Sequence, residues 1–125
     1  MLRLPSLGEL DQGLRVRVYL CTSTTDMRKG FDTLAVLVRD GLGYDPLSGH
    51  LFLFVGRRRD RLKILYWDRD GYALWYKRLE KGTFRMPAAK PDAASVELKA
   101  SELAMLLEGI DLRSIRRRQR FRRPA

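Results

Sequence analysis

The run Leu51-Phe52-Leu53-Phe54-Val55 is the strongest constraint in this chain. Successive side chains of a strand point to opposite faces of its sheet, so five apolar residues in a row are apolar on both faces. Such a segment suits a central strand. Two further strand-like runs follow it, Leu62 to Trp67 and Tyr72 to Leu79, separated by the turn-rich stretches GRRRDR and DRDG. Together the three read as an antiparallel meander. Gly82 and Pro87 bound a possible short fourth strand around Phe84, and residues 88–94 read as loop by composition.

Ahead of the meander, Arg15-Val16-Arg17-Val18-Tyr19-Leu20 alternates strictly, placing Val16, Val18 and Leu20 on one face of an additional N-terminal strand. Its other face is expected to be wet or to bind something. Phe31, Leu34, Ala35, Val38 and Leu42 then recur at helical spacing, which predicts an amphipathic helix over about 28–40. Gly41, Gly43, Asp45, Pro46, Ser48 and Gly49 end it in a loop. A second helix is marked by Leu103, Leu106, Leu107 and Ile110, with Gly109 as its C-terminal cap. The expected class is α+β: a small antiparallel meander sheet with the extra N-terminal strand and two packed helices.

A chain of 125 residues, 45% of them hydrophobic, is the size of one domain and can bury a core without staples. No apolar run approaches the roughly 20 residues of a membrane span. The N-terminus lacks an apolar stretch of signal-peptide length, and the single cysteine, Cys21, has no internal disulfide partner. A cytoplasmic protein with no membrane contact is expected.

The net charge of +10 is unevenly placed. Residues 113–125 hold seven arginines and no acid, leaving 18 basic against 15 acidic residues, or +3, for a domain over 1–112. A block of like charge with little to bury is expected to be disordered when free and to bind polyanions, through Arg113, Arg116, Arg117, Arg118, Arg120, Arg122 and Arg123. A second basic focus, Arg57, Arg58, Arg59 and Arg61, falls at the tip of the first meander hairpin, with Lys63 just beyond it. Four arginines in five positions repel one another, which favours a polyanion that neutralises them. Tyr66, Trp67, Tyr72, Trp75 and Tyr76 lie on the adjoining strands, mostly for core packing, although one face could stack bases. Arg28 and Lys29 open the first helix, where the helix dipole disfavours cations; with Gly30 and free amides they could hold a phosphate, in competition with Asp26 as N-cap.

Several enzyme classes find no support. One Cys and one His cannot build a structural zinc site, and no serine sits in a nucleophile elbow. His50, beside a Ser-Gly turn, reads as a strand-entry residue, and no glycine-rich loop has nucleotide-binding spacing. No cofactor is expected. Asp60, Asp68 and Asp70 could in principle hold magnesium for phosphodiester cleavage, but turn chemistry explains all three. The meander places Asp60 and Asp68 at opposite ends of the strand 62–67, about 20 Å apart at 3.3 Å per residue.

Thr25-Asp26-Met27-Arg28-Lys29-Gly30-Phe31-Asp32, then Asp45-Pro46 and Ser48-Gly49-His50-Leu51-Phe52, occur in order and at close spacing. They continue through Arg57-Arg58, Asp60-Arg61, Lys63, Trp67-Asp68, Asp70-Gly71, Lys77-Arg78-Leu79-Glu80, Gly82 and Leu106-Leu107-Glu108-Gly109-Ile110. Over about 14–112 this pattern resembles the transposition accessory protein TnpB (Orf2-like) of the bacterial insertion-sequence family number sixty-six. The same name is used for an unrelated RNA-guided nuclease, which this short chain does not resemble. The resemblance implies a small non-catalytic partner of a separate transposase and a second accessory protein. Lys99 stands where the family often has a capping threonine, Leu112 replaces a usual tryptophan, and the arginine tail lies outside the shared pattern.

The leading expectation is therefore an accessory protein that binds DNA, at transposon ends or without specificity, or assists the transposase through its basic surfaces. The alternative is a pure protein-interaction module of the transposase complex. A magnesium-dependent nuclease ranks last.

Overall fold

In the computed structural model the described residues are 16–108. They form five strands and two helices: β1 Val18–Cys21, α1 Phe31–Val36, β2 Leu51–Val55, β3 Arg61–Asp68, β4 Gly71–Arg78, β5 Ser95–Leu98 and α2 Ala100–Glu108. The strands make one sheet in the order β4-β3-β2-β1-β5. The expected meander is β2, β3 and β4, with Phe52 opposite Leu65 and Ile64 opposite Trp75. The additional N-terminal strand is β1, which runs parallel to β2 with Val18 opposite Leu51. A parallel pair needs a long crossover, and α1 supplies it.

Both faces of β2 are buried, as its sequence requires. Leu51, Leu53 and Val55 join Val18, Leu20, Leu62, Ile64, Leu103 and Leu106 beneath α2, whereas Phe52 and Phe54 pack with Tyr19, Leu34, Ala35, Val38 and Leu65 beneath α1. The two helices thus cover opposite faces of the sheet. One expectation about β1 is corrected by this layering: its second face is not wet, because Tyr19 and Cys21 are buried under α1. The arginines of the alternating run had suggested solvent there, but the run's outer part, with Arg17, lies before the strand.

Three further differences have local causes. No strand forms around Phe84; its ring is fully buried from a loop, and its N–H donates to the Arg59 carbonyl, so apolar burial and not ladder pairing produced the signal. The remaining strand is β5, antiparallel to β1, with Leu98 opposite Val18 and Val96 opposite Leu20. It forms one edge, and the exposed Glu97, opposite Tyr19, pairs with Arg17. Finally, α1 begins at Phe31, not near 28, and continues past Val36 as a wider π-helical turn, Leu37–Leu42, that carries Gly41 within it and ends at Gly43, whose φ is 77°.

At α2, Glu102 accepts from the Lys99 N–H, one half of a capping box, so helix entry is satisfied without a threonine at position 99. The Lys77 ammonium donates to the Leu107 carbonyl in the last turn. The expected cap at Gly109 and the arginine tail fall outside the described residues.

Leu53→Ala should destabilise the protein by about 2–5 kcal/mol in urea unfolding, against under about 0.5 for the exposed Leu47→Ala. His50, immediately before β2, accepts the Arg17 N–H at Nδ1, 3.0 Å, so its ring is neutral there. Burial, then the Arg17 charge, holds its pKa below the ordinary 6.5. The unfolded chain therefore takes up the proton first: the stability due to His50 is complete above about pH 6.5 and is lost as pH falls through its lower folded value. His50→Asn, which keeps an acceptor, should show a smaller fall in Tm between about pH 7 and about pH 5 than the parent protein.

Candidate functional site

Because β1 and β2 are parallel, their C-terminal ends share one edge of the sheet, and the chain leaving each is brought to the same place. Ligands of sheets with parallel strands commonly bind beyond these carboxyl ends. Here the segment 22–30 after β1 meets the hairpin tip 56–60 after β2. The Thr25 N–H donates to the Val55 carbonyl, 2.8 Å, at the last residue of β2. Met27 lies against Gly56, where an added Cβ would come within 2.8 Å of the Met27 Cγ.

Lys63 fastens the segment. It sits on β3 between Phe54 of β2 and Tyr76 of β4, and its side chain is 6% exposed in spite of its charge. Its ammonium donates to the carbonyls of Met27, 2.6 Å, and Lys29, 2.8 Å, and lies 4.8 Å from the centre of the Tyr76 ring. Charged hydrogen bonds of this kind are among the strong ones, and the partners offset the cost of burying the ion. Lys63 was expected as a phosphate contact. In the structure it anchors the 25–30 segment and is not among the residues that line the cleft.

The result is an open cleft of about 580 Å³ lined by Thr24, Thr25, Asp26, Met27 and Arg28 on one side and Gly56, Arg57, Arg58, Asp60 and Arg61 on the other. Two basic foci that are separate in sequence are one site in space. Four guanidinium groups against two carboxylates leave the lining net positive. Arg28 is 91% exposed, and its Nε and Nη2 pair with the Asp26 carboxylate, down to 2.7 Å. The Arg28 side chain, and then its backbone N–H, hold the Asp26 carboxyl well below the usual carboxylate range. Such an exposed pair is weak, so it orients Arg28 more than it stabilises the fold. Arg61 donates from Nη1 to the Tyr76 hydroxyl, 3.2 Å, which steadies a second wall of the cleft.

The other expected contacts are placed differently. Lys29 is half-buried beside a smaller hollow that includes Cys21, Leu37 and Leu42. Arg59 is exposed but does not line the cleft; its φ of 62° turns the backbone so that its carbonyl meets Phe84. Phosphate docking at the start of α1 loses its geometric basis. The helix begins only at Phe31, the Arg28 N–H already donates to Asp26 Oδ1, the Lys29 N–H donates to the Asp26 carbonyl, and Asp26 closes a turn, leaving Gly30 as N-cap. The tail arginines from Arg113 to Arg123 lie outside the described residues.

Asp60 and Asp68 flank opposite ends of β3, as the meander requires, and Asp68 and Asp70 belong to the tight β3–β4 turn with Arg69 at φ 58°. Among the described residues no group of three or more His, Cys, Asp or Glu is placed to hold a metal ion. No helix there is long and apolar enough to cross a membrane.

The profile of the family described as IS66 Orf2 like protein matches residues 16–117. The chain belongs to this family. Membership implies an accessory role in the transposition of IS66 elements, and the family is not a known class of enzymes. Two similar proteins come from Sinorhizobium fredii (strain NBRC 101917 / NGR234). Uncharacterized protein y4hO is 41% identical over 104 residues, covering 83% of this chain and 89% of its own. Uncharacterized protein y4jC is 36% identical over 107 residues, covering 86% and 88%. No solved structure matches the chain. The family pattern noted in the sequence includes Thr25 to Lys29, Arg57-Arg58, Asp60-Arg61 and Lys63, and the structure gathers these residues around the cleft or its anchor.

The contact of Met27 with Gly56 and the anchoring role of Lys63 go beyond what was read from the sequence. A lysine between Leu62 and Ile64 in a strand that is otherwise apolar was the available signal. Lys63→Met should cost roughly 2–3 kcal/mol in urea unfolding, through loss of two charged hydrogen bonds. It should also raise the amide exchange rate of Thr25 far more than that of Ile64.

Proposed function

We propose that this IS66 Orf2-like protein assists transposition by gripping the DNA backbone in the cleft between the 25–30 segment and the β2–β3 hairpin. The observation that carries the reading is the convergence of Arg28, Arg57, Arg58 and Arg61 on one open concavity. Arginine presents a rigid fork of donors suited to phosphate oxygens, and a groove of such groups follows a backbone without reading its sequence. The arginine tail, at residues 113–125, adds a second polyanion-binding element in this reading. The transposase and a second accessory protein of the same element are the protein partners.

The test is binding of labelled DNA as a function of salt, starting near about 50 mM. Each phosphate contact contributes about 0.9 to the slope of log affinity against log salt, so Arg57→Ala/Arg58→Ala should flatten it by about 2. Deleting 113–125 should flatten it further, up to about 6 if all seven tail arginines meet phosphates. Unchanged slopes in both variants would contradict direct backbone binding. Absence of DNA binding at low salt, with the transposase retained in a pull-down, would instead make the protein an interaction module that meets DNA through its partner.

A further inference from the structure

Five aromatic residues stand on β3 and β4, and the sheet treats them unequally. Tyr66 is buried, Trp67 and Tyr72 meet edge to face at 5.1 Å, and Trp75 packs against the core beneath α2. Tyr76 alone of the five is left 47% exposed. It is also the one joined to the cleft, because its hydroxyl accepts from Arg61, a cleft-lining residue.

The ring is held in place from beneath. Lys63 is buried and lies over one face of the ring at 4.8 Å, so that face is engaged from within the fold. With its hydroxyl held by Arg61 and one face on an ammonium, the ring is presented beside the net positive cleft that Arg61 lines. A rigid aromatic face beside a basic groove is the arrangement with which proteins hold unpaired nucleotides: phosphates follow the groove, and a base stacks on the ring. In a continuous duplex the base faces are covered by their neighbours, so Tyr76 has nothing to stack on there. Among the described residues no groove-reading helix adjoins the cleft either: α1, which follows the 25–30 segment, has six residues before its π turn.

We infer that the cleft takes single-stranded DNA, with an unpaired base stacked on the Tyr76 ring and the adjoining phosphates held by Arg28, Arg57, Arg58 and Arg61. This rests on the backbone-binding reading above and sharpens it to a substrate class: a strand end, a gap or an unpaired stretch at which bases are open.

The experiment measures affinity of the full chain, by fluorescence anisotropy, for a single strand of roughly 12 nucleotides and for the blunt duplex of the same sequence. The basic tail contributes to both ligands and cancels in the ratio of variant to parent. Tyr76→Ala is expected to weaken single-strand binding by about 5- to 150-fold, the range for loss of one stacked base, while duplex affinity changes less than about 2-fold. Tyr76→Phe and Tyr76→Trp should retain single-strand binding, since both keep a stacking face while losing or altering the hydroxyl contact with Arg61. Equal losses on both ligands, or loss in Tyr76→Phe as large as in Tyr76→Ala, would overturn the inference and leave Tyr76 as a support for Arg61. Binding of both ligands unaffected by Tyr76→Ala would overturn it while leaving the backbone-binding cleft intact. Failure of the parent protein to bind either ligand would overturn the cleft reading and this inference with it.

Discussion

Burial of both faces of β2 organises the sheet and both helices around it. Its five apolar residues need cover above and below, which places the sheet between α1 and α2. The α1 cover comes from the connection between β1 and β2, and such a crossover makes the two strands parallel. Parallel neighbours end at the same edge. The segment leaving β1 and the hairpin leaving β2 are therefore brought together by topology before any specific contact between them is considered.

What topology brings near, Lys63 fixes. A bare lysine in a buried strand would carry a large desolvation cost, and this one meets two carbonyls and an aromatic ring. One ammonium holds the 25–30 segment and underlies Tyr76, so a single buried charge positions both the arginine-bearing segment and the exposed ring. The cations of the cleft are then free to be repulsive toward one another, because a neutral backbone contact and a buried anchor, not ion pairing among them, keep their walls together.

The parts legible in the sequence were those decided locally. The meander followed from apolar runs bounded by turn residues, and α2 from the spacing of Leu103, Leu106 and Leu107. The family pattern could be read in the sequence, and it picked out residues that converge at the cleft. The strand β5 was not legible, because four residues with Glu97 among them form a strand only by pairing with β1, more than seventy positions earlier. For the same reason the parallel β1–β2 pairing, and with it the union of Arg28 with Arg57, Arg58 and Arg61, was not legible: periodicity shows which residues are buried, not which strand ends meet. The burial of Lys63 was not legible either, because a lysine beside four arginines reads as one more surface cation, whereas its place between Leu62 and Ile64 makes it interior.

The segment after β1 is seated on the β2–β3 hairpin, making one cleft of two basic foci. The most direct measurement is a proton–proton NOE between the Met27 side chain and the Gly56 Hα in the DNA-free protein. A strong cross-peak is expected, since the Met27 Cγ lies within 2.8 Å of where a Cβ on Gly56 would stand. Its absence, with the Phe52–Leu65 strand contacts present, would mean that the sheet forms but the cleft does not, and would contradict this seating.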